Sequence, residues 1–455
     1  MKSELTREFI DKLIVLIEEN SGQEVLSMIE DLHATDIAEI MEELNMEEAK
    51  YLYMLLDEEK ASDVLVEIPE DDRKRFLKAL PPEIIASRFI EHMDSDDAAD
   101  VIADMEEDLQ EAVLQEIKDK EQASDIADLL VYDEDTAGGI MAKELVAVNE
   151  NWTVQTCLKE ISKQAEDIDE IYYVYVVDDD YKLKGLLSLK RLILQPTQTI
   201  IKNLVTEEVH SVNVNADQEE VAQIMERYDL VALPVVDQLG RLKGRITIDD
   251  VVDVIREEAE KDYQMVSGIT GDVEASDKVW QLTRARIPWL FIGLLGGITG
   301  ALVLGSHEES LKKIPEVAFF IPLIAAMAGN VGVQSSSIVV QSIASGSRDF
   351  DSMSHKLLKE LSVALITALI FSTLIFSYNF FMEESMSLIL SVSISLFIVI
   401  LFAAIFGTLI PLALNKFRID PALATGPFIT TMNDILGLAI YMLISHSLHN
   451  WFNVL

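Results

Sequence analysis

The sequence predicts a multi-domain, mostly α-helical membrane protein: an acidic α-superhelical region comes first, a smaller α/β region second, and a five-span transmembrane bundle last. Three observations support this division. Nine basic and ten acidic residues follow position 280, so 27 of the 36 basic and 69 of the 79 acidic residues precede it. Apolar runs long enough to cross a bilayer lie after that position, and two similar strand-rich stretches lie before it.

The apolar runs predict five transmembrane helices. Residues 287–305 form a run of 19 residues without a charge, and a helix rises about 1.5 Å per residue, so this run covers the hydrocarbon core. Further apolar stretches follow at about 317–345, 361–381, 387–414 and 426–448.

Basic residues beside the spans predict their orientation. They precede the first span and occupy the linkers between spans two and three and between spans four and five: Arg284, Arg286, Arg348, Lys356, Lys359, Lys416 and Arg418. Because Lys and Arg are retained on the cytoplasmic side, we expect the N-terminus inside and the C-terminus outside. Lys312 and Lys313 lie in an outer loop and weaken the signal.

Asp434 is the acidic residue that falls inside these predicted spans, about eight residues into the fifth. Three neighbours offer further oxygen atoms: Thr430, Thr431 and Asn433. A carboxylate at mid-span costs about 2.5–3.5 kcal/mol, so it is expected where it lines a polar pathway or meets a partner. An interhelical hydrogen bond is the alternative role.

The second span contains the sequence P-L-I-A-A-M-A-G-N-V-G-V-Q. Gly329 and Gly332 would thin the helix and bring backbone carbonyl groups to a pathway, and Asn330 adds a side-chain oxygen. Close helix packing is the alternative explanation for the glycines. Oxygen ligands without Cys or His favour Mg²⁺, Ca²⁺ or Mn²⁺, and Mg²⁺ is usually held by one or two carboxylates with its waters retained. Two Asp434 side chains facing each other in a symmetric homodimer would meet that description.

The acidic half predicts a cytosolic, cation-binding region. A net charge of -43 argues against nucleic acid and anionic headgroups as partners. The single cysteine, Cys157, fits a reducing compartment, and the first residues lack a signal-peptide run. Helical units that begin D-I-A-E-I, D-V-L-V-E, D-A-A-D-V and D-I-A-D-L recur through residues 1–130, which is typical of a short superhelix.

Two copies of one α/β unit follow. I-Y-Y-V-Y-V-V-D with K-L-K-G-L-L, and V-A-L-P-V-V-D with R-L-K-G-R-I-T-I-D-D, resemble a tandem pair of CBS domains, with Gly185 and Gly244 expected to close turns. The second copy keeps a Thr-x-x-Asp ending, Thr247 and Asp250, which in CBS domains often touches a nucleotide ribose. The resemblance therefore implies a possible adenine nucleotide at this pair. A capping box is the local alternative for these two residues.

The order of these regions, and three motifs, resemble the MgtE family of magnesium channels. The motifs are Y-D-E-D-T-A-G-G-I-M, P-L-x(5)-G-N-x-G-x-Q and D-P-A-L-A-T-G-P-F-I-T-T-M-N-D, which ends at Asp434. The resemblance implies a helical N domain at 1–131, CBS domains at 132–200 and 201–255, a connecting (plug) helix at 256–280 and the transmembrane domain at 281–455. It implies a homodimer among lipids in the bacterial cell (inner) membrane, with Mg²⁺ as the transported and the regulatory ion.

The connecting helix carries crowded carboxylates: Asp250, Asp253, Glu257 and Glu260 fall within about 80° on one helical face. The family resemblance implies that Mg²⁺ bridges such groups to close the channel. The ligands it implies are Asp96, Asp100, Glu219, Asp229, Asp250, Asp253, Glu258 and Asp262. Lys261 departs from the acidic family pattern, so one expected ligand is missing.

These observations predict a non-enzymatic, Mg²⁺-selective channel for magnesium uptake, closed by Mg²⁺ bound to its acidic domains. Two alternatives stay open at this point: a secondary divalent-cation transporter coupled to H⁺ or Na⁺, and a membrane-anchored nucleotide sensor without transport. An enzyme is disfavoured because the sequence has no nucleophile–base pair, Walker loop or zinc signature.

Overall fold

The structure is a computed structural model that describes residues 6–165, 168, 170–206, 208–271, 273, 278–344, 353–424 and 426–454. Its contacts divide the chain into two compact units, Met1–Ile255 and Arg256–Leu455. Arg348 and the side chain of Lys356, two of the basic residues used to predict orientation, lie outside what is described.

The first unit begins with short helices, as the recurring acidic pattern predicts. They are Arg7–Glu18 (α1), Gly22–Ile29 (α2), Ala34–Glu42 (α3), Met46–Leu55 (α4), Glu58–Val66 (α5), Glu70–Leu77 (α6), Pro82–Arg88 (α7), Ser95–Ala103 (α8), Glu107–Glu116 (α9) and Lys120–Leu129 (α10). Side-chain caps set several boundaries, because an acceptor at the N-cap satisfies a free backbone N–H. Asn45 caps α4 in a capping box with Glu48, and Asp119 caps α10.

Apolar faces of these helices form one core that continues into the second α/β unit. The rings of Tyr53, Phe76 and Phe89 pack together in it, one pair tilted and two pairs edge to face, with centroids 4.3–6.2 Å apart. Arg73 ties α6 to the end of α8 through Asp104, with Nη2 and Oδ2 2.6 Å apart and both side chains mostly buried. The many surface carboxylates therefore surround a conventional helical core.

The α/β region consists of two sheets with the same topology. The elements of the first are Val146–Asn149 (β1), Val154–Gln164 (α11), Val174–Val177 (β2), Leu183–Leu187 (β3) and Leu189–Ile193 (α12). Those of the second are Val212–Asn213 (β4), Gln218–Tyr228 (α13), Ala232–Val236 (β5) and Leu242–Thr247 (β6). In each, the first strand pairs parallel to the second and the second antiparallel to the third. The predicted internal duplication is thus present in the fold.

Gly185 and Gly244 do not close turns, contrary to the sequence prediction. They lie inside β3 and β6, opposite Val176 and Val235, next to a shift in register. A Cβ at Gly244 would approach the carbonyl oxygen of Ala142 to 2.7 Å, and one at Gly185 would overlap Val205. These glycines allow another segment to cross the strand closely, a role that Gly plays in strand interiors.

The helix Ile248–Val266 (α14) follows β6 without a break. Its start is fixed by Asp250, whose Oδ2 accepts hydrogen bonds from the Thr247 backbone N–H at 3.2 Å and from the Thr247 hydroxyl at 2.6 Å. Of the two hydrogen bonds of the predicted capping box, the one from the Thr247 N–H to the Asp250 carboxylate is present. The Thr247 hydroxyl donates to the same carboxylate instead of accepting from a backbone N–H of the helix.

The second unit contains Val279–Ser306 (α15), Glu308–Lys313 (α16), Ile321–Ala344 (α17), Met353–Phe381 (α18), Met386–Lys416 (α19) and Gly426–Val454 (α20). Within the described chain, five segments are long and apolar enough to span a membrane: Val279–Ser306, Pro315–Ile343, Leu357–Phe381, Met386–Lys416 and Gly426–Phe452. The predicted fold class is confirmed, and the protein is a multi-pass membrane protein.

The third span is longer than predicted and includes a second carboxylate. It starts at Leu357, not at about 361, so Glu360 lies inside it. The statement that Asp434 is the acidic residue within the spans is therefore wrong. The sequence pattern misplaced the boundary because a charge next to an apolar run usually marks its end.

Candidate functional site

Helix α20 packs unusually close to α17 at the two glycines that the sequence singled out. A Cβ at Gly329 would lie 3.0 Å from Oδ1 of Asp434, and one at Gly332 would lie 3.0 Å from Cγ of Asn433. Without side chains, these positions let the acidic and amide groups of α20 reach the backbone of α17, as small residues do at helix interfaces in membranes. Gly329 and Asp434 are thus adjacent in the structure.

The polar atoms at this contact are buried without partners among the described residues. Asn433 is 1% exposed, and neither its amide nitrogen nor its oxygen has a hydrogen-bond partner there. Oδ1 of Asp434 is also buried and unpaired by protein groups of the described chain. Because an unmet buried polar group costs about 1–3 kcal/mol, such a set calls for an ion or water. An anionic oxygen beside an amide is a donor set that suits a hydrated Mg²⁺.

The other three predicted pathway residues contribute little to this polar contact within one chain. Asn330 is exposed in the single chain. The Thr430 hydroxyl donates to the carbonyl of Gly426 at 2.9 Å, and its methyl group faces Gly329. Thr431 packs against Gly296 of α15. Within one chain, therefore, Asp434 and Asn433 form the polar contact with α17, while the two threonines chiefly pack.

A second group of carboxylates lies in the first unit. Ligand oxygens of Asp94, Asp96 and Glu144 all fall within 4.8 Å of one another. Glu144 is held in place by Ser95, whose hydroxyl donates to Oε2 at 2.8 Å and whose backbone N–H donates to Oε1 at 3.2 Å. Three hard oxygen donors at this spacing fit Mg²⁺ or Ca²⁺.

Electrostatics show that the start of α14 belongs to the same acidic region. Burial, and then the charge of Asp250, raise the pKa of Asp96 well above its usual value. The same two causes raise the pKa of Asp97 to about 7. Burial also raises the pKa of Asp100 to about 7. The structure therefore brings Asp96, Asp100 and Asp250 into one region where ionisation is unfavourable without a cation.

The second unit holds a smaller group of carboxylates near the end of α14. Burial, followed by the charges of Asp420 and Glu258, raises the pKa of Asp262. Lys261 opposes this shift and lies 3.3 Å from Oε1 of Glu258. Asp262, Asp420 and Glu258 thus share a region, and Lys261 adds a positive charge there.

The remaining predicted ligands are exposed and separate within one chain. Glu219 lies in the first turn of α13 and Asp229 ends that helix in a left-handed conformation. At about 1.5 Å per residue they are about 15 Å apart. Asp253 is exposed on α14. These three do not form a common site with each other in the single chain.

Sequence reasoning missed several carboxylates that the fold adds to these groups. Asp94 and Asp97 belong to the run M-D-S-D-D that contains Asp96, so the local pattern could have indicated them. Glu144 and Asp420 come from distant parts of the sequence, and tertiary structure alone brings them near.

Three family models match successive parts of the chain. The family model of divalent cation transporters matches residues 321–444, that of the MgtE intracellular N domain matches 32–135, and that of the CBS domain matches 137–195 and 201–257. The recognition of a tandem CBS pair is confirmed.

Full-length relatives and a solved structure point the same way. The magnesium transporter MgtE of Thermus thermophilus is 33% identical over 95% of this chain and 96% of its own length. That of Bacillus subtilis is 31% identical over 95% and 96%. A crystal structure of the cytosolic domain of the Mg²⁺ channel MgtE with ATP is 35% identical, covers 54% of this chain and 99% of that one, and has a TM-score of 0.50.

These relatives are named as transporters, so the prediction of a non-enzymatic protein is confirmed. The matched models cover the helical, CBS and membrane regions in the order that the sequence predicted. With a polar α17–α20 contact in its membrane bundle and two relatives above 30% identity over nearly its full length, the chain belongs to the MgtE family of magnesium transporters.

Proposed function

We propose that this family member is a Mg²⁺-selective channel for magnesium uptake and that Asp434 receives the ion in the membrane. The observation that carries the proposal is the buried Oδ1 of Asp434, which has no protein partner among the described residues. A lone carboxylate at this depth is stabilised by a passing cation, and Mg²⁺ that keeps its waters needs few protein ligands. Asn433 and the backbone near Gly329 supply further polar atoms, and Asn330, Thr430 and Thr431 complete the proposed pathway.

The proposed assembly is a homodimer in the bacterial inner membrane, with the acidic domains in the cytosol and the C-terminus outside. The basic residues beside the spans support this orientation. The exposed position of Asn330 is compatible with a pathway on the dimer axis, because a group exposed in one chain can face its copy. The domain boundaries given above are part of this proposal.

Closure by cytosolic Mg²⁺ is the second part of the proposal. The carboxylates with raised pKa values near Asp96 and Asp250 repel each other, and a cation that binds them stabilises the compact state. The proposed regulatory ligands are Asp96, Asp100, Glu219, Asp229, Asp250, Asp253, Glu258 and Asp262, and Asp94 and Glu144 join them. A solved relative binds ATP in its cytosolic domain, which supports an adenine nucleotide at the CBS pair here.

The test of conduction compares two neutralised carboxylates in proteoliposomes loaded with a Mg²⁺-sensitive dye. Asp434→Asn should abolish uptake, because it removes the charge that attracts the ion. Glu384→Gln, on an exposed loop residue, is the matched control and should stay within about twofold of wild type. Asp434→Asn protein that folds normally and transports at the wild-type rate would refute the proposed pathway.

Planar-bilayer recordings separate a channel from a coupled transporter. A channel gives unitary currents that reverse at the Mg²⁺ equilibrium potential whatever the H⁺ and Na⁺ gradients. Reversal that follows either of those gradients would show a secondary transporter, and the uptake proposal would then be revised to coupled transport. Raising Mg²⁺ on the cytosolic side should lower open probability in the wild type.

A further inference from the structure

Glu360 is a carboxylate in the third span to which none of the sites above assigns a role. Its Oε1 accepts a hydrogen bond from the hydroxyl of Ser335 in α17, with the two oxygens 2.5 Å apart. Ser335 is 3% exposed. A charge-assisted hydrogen bond of this length holds the carboxylate firmly against α17. The acidic group is therefore fixed on the second span and is not extended into bulk solvent.

Three positions of α17 lead from the residues of the proposed pathway to Glu360. Gly329, Gly332 and Ser335 follow each other at intervals of three residues, so each lies about one turn along the helix from the last and about 60° around it. Asp434 contacts the first position and Asn433 the second, and Glu360 binds the third. Two carboxylates and an amide thus meet three successive positions of a strip that winds around α17. Gly329 and Ser335 are about 9 Å apart along the helix axis.

Asn433 contacts the middle one of these three positions. It is 1% exposed, and both polar atoms of its amide are unpaired among the described residues. It packs onto Gly332, one helical turn before Ser335. A buried amide can donate to and accept from the water shell of a hydrated ion. This unmet group packs at Gly332, between the position that Asp434 contacts and the position that Glu360 binds.

We propose that Glu360, positioned by Ser335, is a second Mg²⁺-binding group of the pathway, reached from Asp434 along the strip of α17 that winds from Gly329 through Gly332 to Ser335. The inference rests on the proposed conduction through Asp434 and adds a second station to it. Ions leave a pore readily when several moderate sites share the binding, so that one ion favours the release of another. A carboxylate that binds through the ion's water shell provides such a site without a full cage.

A purely structural hydrogen bond between α17 and α18 is the competing role for Glu360. The two roles differ in what Glu360→Gln does. Glutamine keeps a side-chain oxygen that can accept from Ser335, so packing is retained, but the charge is lost. A structural role therefore predicts unchanged conduction at unchanged thermal stability. A role in the pathway predicts altered conduction at unchanged stability.

The experiment measures unitary Mg²⁺ conductance of the full-length protein in planar bilayers as a function of Mg²⁺ concentration. Glu360→Gln should lower conductance about three- to tenfold at low Mg²⁺ and move half-saturation to higher Mg²⁺ by a similar factor, because the weaker field concentrates fewer ions. Glu360→Asp, which keeps the charge, should retain most of the conductance. Glu384→Gln is the control for loss of a surface charge.

Ser335 provides an independent readout as a positioning residue. Ser335→Ala should raise the half-saturating Mg²⁺ concentration with little change in maximal conductance, and Ser335→Thr, which restores a hydroxyl, should return it toward the wild-type value. Conductance of Glu360→Gln equal to wild type at all Mg²⁺ concentrations, in protein of normal thermal stability, would overturn this inference. If Asp434→Asn also conducts normally, the proposed function itself fails, which is a distinguishable result.

Discussion

Replacing Gly407 of α19 with alanine should separate α19 from α17 and destabilise the membrane bundle. A Cβ at Gly407 would overlap the carbonyl oxygen of Gly332 and lie 3.1 Å from Cβ of Ser335 and 3.2 Å from the Gly332 carbonyl carbon. The obstructing atoms include backbone, so no rotamer change relieves the overlap. The two helices must move apart locally by some tenths of an ångström or more.

The expected cost follows from two opposing effects. Overpacking of this kind costs about 1–3 kcal/mol, whereas Gly-to-Ala in a helix interior is favourable by about 0.5–1 kcal/mol. Gly407→Ala should therefore lose between about 0 and 2.5 kcal/mol of stability net. Gly297→Ala is the matched control, because a Cβ at Gly297 of α15 meets nothing within 4 Å; it should keep the favourable effect alone.

The assay is thermal unfolding of the purified full-length protein in detergent, followed by Mg²⁺ uptake in liposomes. Gly407→Ala should unfold several degrees below Gly297→Ala and transport more slowly, since Gly332 also contacts Asn433. Equal stability of the two variants would show that α17 and α19 do not approach at Gly407 as described, and the packing argument for the pathway would lose its basis.

Two further predictions concern the acidic regions. The pKa of Asp97 is raised to about 7 from an ordinary value near 4, so without Mg²⁺ the folded state binds more protons than the unfolded state, and stability should fall as pH rises from about 4 to 7 and then level off. Bound Mg²⁺ favours the ionised form, so 10 mM Mg²⁺, taken as roughly saturating, should slow proteolysis of the first unit more at pH 8 than at pH 6. Equal protection at both pH values would contradict a Mg²⁺ site at these carboxylates. Lys261→Glu removes the ion pair with Glu258, 3.3 Å away, and adds a carboxylate beside Asp262, so it should lower the Mg²⁺ concentration that closes the channel by about two- to fivefold. Lys261→Gln removes only the positive charge and should lower that concentration less. An unchanged closing concentration in both variants would exclude a cation site at Asp262.

The spans, and the position of Asp434 inside the fifth of them, could be predicted from the sequence because both depend on strong, local terms. A run of apolar residues is stable in a bilayer wherever it occurs, and a carboxylate within it is costly enough to need a reason. The same reasoning does not reveal Glu360, because a charge near a span end can reach the interface and in the sequence marks a boundary. Its hydrogen bond to Ser335 depends on how α17 and α18 pack.

The acidic sites were harder to predict because their members meet only in the folded chain. Asp96 and Asp100 share one helix, but Glu144 joins Asp94 and Asp96 from a segment about 50 residues later, held by the buried Ser95. Likewise, the requirement for glycine at positions 185 and 244 is explained only by the segments that cross β3 and β6 there. Periodicity reports which face a residue occupies and says little about which distant segment covers that face.

The end of α14 meets the start of α20 through two glycines with positive φ. Gly268 has φ +78 and would place a Cβ 3.0 Å from Cδ of Pro427, while Gly426 has φ +50 and would overlap the carbonyl of Val266. These partners are about 160 residues apart in the chain, which a ribosome takes roughly 10–30 s to add. During biosynthesis the first unit is therefore finished well before α14 can meet its contact on α20. The helix that carries Asp434 is also the element that completes this junction, so assembly of the membrane bundle and attachment of the connecting helix become one late event.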